Sequence, residues 1–500
     1  MHRLLVIVLA LGIMAALAAP VRALPDHRGV ELVFGDLALE RIDAAFERFD
    51  PDHRQERAAR RARFDALGHQ LFARERAGAD LACSRQIFVE AKWLIGYTAW
   101  WERIDRRLAE LELSLDEPDQ AFARDPVPAD GLYGVCAEER FVRIETTLEA
   151  YFQLADEGAL PPVMRTPQPW ARSPDALIAF LNERLVSDIE GTGEDMRSRV
   201  GGLTSIMMAT AKRDHVLDLL RRTTSGEPLT RGEQRAVRTA LHAYVDAWQD
   251  PQTGYWGAWY RDADGRLFKT TDLSITYHIV HALRGEVRFW PQLIETTLAL
   301  RDHAYPFGWL SRGRWTNHNN YDLVRIFRYG WPYMTAEQQA EVADLLQRMV
   351  DWAFRVGIEQ DYEGFVLVPE LSSSVGAELY FGVSFLDAAG YFALDPWTGG
   401  LDYPAPRSEV CAALWEHAHD LAEDAYVLGA KQKLRRACAD HLPPAAWTAG
   451  GAGSEDHEHE RQDDAEEHEQ RTSEDVRLTH VVTQPLGIHR ESPALTAQGE

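Results

Sequence analysis

The sequence predicts an all-α fold made of helical hairpins that close, wholly or in part, into a ring. Apolar residues recur at steps of three and four through most of the chain, and strand-like alternation is scarce. One pattern of glycine, aromatic residue and helix start also returns three times in the second half.

The elements follow in order. Arg3 precedes an apolar run, Leu4 to Ala19, of about 16 residues, and Pro20-Val21-Arg22-Ala23 then breaks the helix. Residues 1–23 are thus expected to be a signal peptide cleaved after Ala23, which makes the protein secreted or periplasmic. The run is short for a membrane span of about 20 residues, and no later segment is apolar enough to be one. Residues 24–169 read as a helical N-terminal region, opening with a charged lead-in rich in Arg and Glu. Within that region, 84–111 is predicted to be one long amphipathic helix, with Ile87, Ala91, Leu94, Ile95, Ile104 and Leu108 on its apolar stripe. Residues 137–155, 174–189, 196–222 and 231–249 read as further helices. Four cysteines in an exported chain predict two disulfides, and proximity favours Cys83–Cys136 and Cys411–Cys438. Ser454 to Asp475 has almost no apolar residue, and residues 446–500 are predicted to be a disordered tail. Its His457, His459 and His468 fix no metal geometry, and no metal or cofactor is expected.

Residues 170–445 hold the repeat. Gly254-Tyr255-Trp256 leads to Asp272-Leu273, Gly308-Trp309-Leu310 to Asp322-Leu323, and Gly364-Phe365-Val366 to Glu378-Leu379. The marks recur at about 55 residues, with intervening helices expected over 290–303 and 336–356. This plan resembles the α/α-toroid carbohydrate-active proteins, in which one helix of each hairpin lies inside the ring and one outside. The resemblance implies that the starts of the inner helices line a central cavity.

Asp272, Asp322 and Glu378 are predicted to occupy equivalent positions there, capped in two cases by Thr271 and Asn319. Converging carboxylates suit general acid–base work on sugars, although an acid in a first helical turn also simply complements the macrodipole. Lys269 and His278 flank Asp272 in sequence. The loop from Arg312 to Tyr321 gathers guanidinium, amide, imidazole and phenol groups, the set that β-elimination from a uronate requires. Asn317-His318-Asn319-Asn320-Tyr321 resembles, in permuted order, the Asn-Asn-His-x-Tyr stretch of toroid alginate lyases. By that resemblance Asn317 would neutralise the substrate carboxylate, His318 would be the base, Tyr321 or Tyr277 the acid, and Arg314 an anion contact. Trp259 and Trp315 are the candidates for exposed sugar platforms, whereas Trp256 and Trp309 read as packing between units.

A formal charge of −25 argues against a nucleic-acid partner. The chain has no Gly-x-Ser-x-Gly, no phosphate-binding glycine loop and no His-Glu-x-x-His. The expected partner is a polysaccharide or oligosaccharide. Three functions stand open at this point: a lyase of uronate-containing glycans, an inverting glycoside hydrolase using paired carboxylates, and a non-catalytic glycan-binding or envelope protein.

Overall fold

Helix formation here follows the apolar spacing, and side-chain caps set where the main helices begin. The computed structural model describes residues 24–79, 81–116, 136–138, 143, 170, 173–202, 204, 230–368, 371–392 and 397–441. The expected signal peptide, the acidic tail and most of the helices expected over 137–155 and 196–222 lie outside the described residues.

The chain is mostly helical, as expected, with a few short strands. The lead-in forms β1 (Glu31–Val33), α1 (Asp36–Phe49) and α2 (His53–Arg76). The single helix expected over 84–111 is instead two, α3 (Ala82–Tyr97) and α4 (Trp101–Asp116). Between them Thr98 is extended and its hydroxyl donates back to the Leu94 carbonyl at 2.8 Å. Residues 193–195 explain the break. The amide of Ala99 donates to Gly193 O and that of Asp195 to Tyr97 O, each at 2.8 Å. Long-range backbone pairing thus replaces the helical bonds that periodicity alone favours.

The next helix, α5 (Pro174–Leu185), also stops earlier than its spacing suggests, because Val186 and Ser187 form β2. A short turn, α6 (Ile189–Thr192), and the long α7 (Arg231–Trp248) follow. Strands β3 (Trp259–Arg261) and β4 (Leu267–Thr270) complete a four-stranded sheet in the order β1-β4-β3-β2. Gly257 is required at its edge, since a Cβ there would lie 1.6 Å from the Thr270 carbonyl oxygen.

The second half runs α8 (Leu273–Ala282), α9 (Trp290–Ala299), α10 (Asn317–Gly330), α11 (Ala336–Trp352), α12 (Val375–Ala388), α13 (Arg407–Asp420) and α14 (Ala425–Ala437). Alternate helices α8, α10, α12 and α14 pack side by side in sequence order, with α9 and α11 against α10 and α13 against α14. Each of those four starts at a side-chain cap: Asp272, Thr316, Ser374 and Asp424 accept from the amides of Ile275, Asn319, Ala377 and Val427. Such a cap is worth about 1 kcal/mol.

The caps correct the expected repeat alignment. Asp272 is itself a cap, Asp322 lies in the second turn of α10, and Glu378 sits one turn into α12. The three acids are not equivalent, and neither Thr271 nor Asn319 is a cap. Instead Asn319 donates its amide to Trp309 O and Ser311 Oγ.

One apolar core extends from Phe64 on α2 to Cys438 after α14, so the N-terminal helices share it with the repeat. Trp256 and Trp309 lie inside it as expected, their indole N–H groups donating to Val245 O and Thr297 O. Both expected disulfides are formed, Cys83–Cys136 and Cys411–Cys438, with Cα separations of 5.4 and 5.7 Å.

Candidate functional site

On α10 the helical period places His318, Tyr321, Asp322 and Arg325 on one face, at i, i+3, i+4 and i+7. That face looks towards α8 on one side and α12 on the other. From α8, Tyr277 meets Tyr321 edge to face with ring centroids 5.5 Å apart. From α12, Phe381 stacks on His318 at 4.1 Å.

The surroundings form a recess. His278 is exposed to solvent, yet desolvation by the protein around it pulls its imidazole down to about 4. His318 behaves alike: its side chain is 32% exposed, and burial, then the His278 and Lys92 charges, hold it near 3. At neutral pH both imidazoles are uncharged.

The two tyrosines are driven apart. Burial disfavours the Tyr321 phenolate, but Arg325, Lys433 and hydrogen bonds with Tyr277 and Arg325 outweigh it, so its hydroxyl titrates below the ordinary tyrosine value. Burial and the Tyr321 charge push Tyr277 well above that value. The two phenols are thus shifted in opposite directions from the ordinary tyrosine value.

The carboxylates also differ. Asp272 is fully buried and ion-paired with Arg197 at 2.7 Å, and Arg197 also donates to the Tyr97 hydroxyl. Its oxygens thus serve the cap and the ion pair. Lys269, expected beside it, instead pairs with Asp250 at 2.7 Å. Asp322 is fully buried, and neither of its oxygens has a hydrogen-bond partner among the described residues. Its nearest polar contact, His318 Nε2 at 3.8 Å, is too long for a hydrogen bond. Burial, with the Asp272 charge, raises its carboxyl well above the usual range. Glu378 accepts from Ser372 Oγ at 2.9 Å and is raised to about 7 by burial, which that hydrogen bond and Lys92 only partly offset.

Other expected site residues scatter. Asn317 is buried and donates to Gly357 O at 3.3 Å, with its side-chain oxygen unpartnered among the described residues. Arg314 is exposed on the loop before α10. Trp315 is partly exposed, edge-on to Trp352. Trp259 is no platform: pairing with Val186 and Lys269 places it inside the sheet, where it is buried against His27.

Sequence reasoning missed the neighbours of this face: Arg325 over the Tyr321 ring, and Phe381 and Tyr305 beside His318. Arg325 had a readable signal, one turn after Tyr321 on a helix already expected. The chain matches no protein-family description, no curated protein and no solved structure.

Proposed function

We propose that this is an exported α/α-toroid polysaccharide lyase that cleaves uronate-containing glycans by β-elimination. The observation that carries the reading is the Tyr277–Tyr321 pair, edge to face at 5.5 Å with Arg325 over the Tyr321 ring, which shifts Tyr321 down while Tyr277 is shifted up. The Tyr321 phenolate takes the C5 proton of the uronate. The C–H electron pair becomes the C4–C5 double bond as the C4–O bond breaks, and the Tyr277 hydroxyl protonates the departing oxygen. A proton then passes from Tyr321 back to Tyr277, its edge-to-face neighbour, which restores both groups. Charge on the uronate carboxylate must be offset for C5 to become acidic, and the partly exposed Arg325 supplies that.

These assignments shift the roles that the motif resemblance implies. A His318 held near 3 is a weak base, so it serves as a neutral hydrogen-bonding neighbour and Tyr321 becomes the base. Asn317 positions the start of α10 through Gly357. The paired disulfides suit export to an oxidising compartment, and the side-by-side alternate helices suit a toroid.

One observation favours hydrolysis: Glu378, raised to about 7, has the character of a general acid. An inverting hydrolase also needs an ionised partner, and Asp272 is committed to Arg197 while burial raises the Asp322 carboxyl. The lyase therefore accounts for more of the recess. The test is to incubate the protein with a panel of uronate polysaccharides and follow the ultraviolet absorbance of the conjugated product. Absorbance that grows with the wild type and disappears in Tyr321→Phe supports elimination. New reducing ends without absorbance, lost in Glu378→Gln, refute it.

A further inference from the structure

Next to the reacting pair, α12 and α14 present a strip of aromatic rings that the elimination step does not use. Tyr380 and Phe381 on α12 stand with ring centroids 5.4 Å apart, and Tyr426 on α14 lies 5.8 Å from Tyr380 and 6.1 Å from Phe381. All three are partly exposed. The strip is continuous with the catalytic face, because Phe381 also stacks on His318 and lies 6.2 Å from Tyr321.

A cation ends the strip. Tyr426, Gly429 and Lys433 fall at i, i+3 and i+7 on α14, so they share one face. Gly429 lets the Tyr380 ring lie close against α14, since a Cβ there would come within 3.0 Å of it. The Lys433 ammonium then sits 5.3 Å from the centre of the Tyr380 ring. Its field also reaches Tyr321, where it helps to lower the phenol. Rings and cation therefore belong to the same recess as the reacting pair.

We infer that Tyr380, Tyr426 and Lys433 form a second sugar subsite, which takes an acidic residue adjoining the one that reacts. Partly exposed rings offer the apolar face of a pyranose a surface to stack on. The ammonium selects neighbours that carry a carboxylate or sulfate. The subsite's catalytic relevance rests on the proposed elimination, whereas its preference for acidic sugar does not.

The experiment measures binding, using Tyr321→Phe protein so that turnover does not interfere. A uronate tetrasaccharide and its carboxyl-reduced counterpart are titrated calorimetrically against this protein and against the same protein carrying Lys433→Gln or Tyr426→Ala. Loss of a charge-assisted contact is expected to weaken the acidic ligand about tenfold or more in Lys433→Gln, with the reduced ligand little changed. Tyr426→Ala is expected to weaken both. Equal effects of Lys433→Gln on the two ligands, or no binding of the tetrasaccharide, overturn the subsite. Charge-selective binding in a protein that cleaves no glycan leaves the subsite standing and removes the lyase. Elimination without any Lys433 dependence does the reverse.

Discussion

The Arg325 guanidinium lies 5.8 Å from the centre of the Tyr321 ring, one helical turn along the same face of α10, and holds the phenol towards its ionised form. This contact links the helix period to the proposed chemistry. Arg325→Met removes the largest influence favouring the phenolate, so the Tyr321 pKa rises. A base works only above its pKa. The acid limb of kcat/KM against pH is therefore expected to move to higher pH, by about one to three units. An unmoved limb with lowered activity would show that Arg325 acts only in binding.

Tyr277→Phe removes the proposed acid and one hydrogen bond that lowers Tyr321, yet keeps the ring packing. A loss of about a hundredfold or more in kcat is expected, with unchanged circular dichroism. Retained kcat would leave the leaving oxygen without its assigned proton donor.

Glu378 gives a stability test. Its pKa is raised in the folded protein, so the fold binds a proton there that the unfolded chain releases between the ordinary value of 4.5 and about 7. Its contribution is present below the unfolded pKa and lost as pH rises through the folded one. Glu378→Gln keeps an acceptor for Ser372 and cannot ionise. Relative to wild type, its melting temperature is expected to improve steadily from pH 4.5 to pH 7, a change on the order of 1–3 kcal/mol. A constant difference between the two across that window would contradict the buried assignment.

The disulfide Cys411–Cys438 ties α13 to α14, the helix that carries Tyr426 and Lys433. Replacing both cysteines by serine frees a loop of 27 residues' separation in the unfolded chain. Chain entropy sets the cost at about 3–4 kcal/mol, measurable by denaturant unfolding. A cost near zero would mean that this end of the protein does not unfold with the rest.

The legible parts of the molecule were those that short-range spacing encodes. The body of α10 after Asp322 follows from three-and-four periodicity, but its start does not: the polar stretch expected as loop up to Tyr321 is helical from Asn317, so His318 and Tyr321 lie on the helix itself. Both disulfide pairs follow from nearness along the chain. Features decided by distant partners were not legible. Trp259 reads as a loop aromatic until Val186 pairs beside it, and Thr98 reads as helical until residues 193–195 dock. Acids at the expected helix starts mask the caps: Asp272 caps its own helix, but Thr316 and Ser374, not Asp322 and Glu378, begin the next two. The charge state of Asp322 was equally hidden, since it depends on burial and on the lack of a partner among the described residues.

The most direct measurement of the central claim is a mass balance on a defined uronate oligosaccharide cut once by the protein. Elimination breaks the C4–O bond without consuming water, so the two fragment masses are expected to sum to that of the substrate. The new non-reducing end should carry the double bond, and neither fragment should form with Tyr321→Phe. Fragments whose masses sum to the substrate plus one water would contradict the account, because they require hydrolysis.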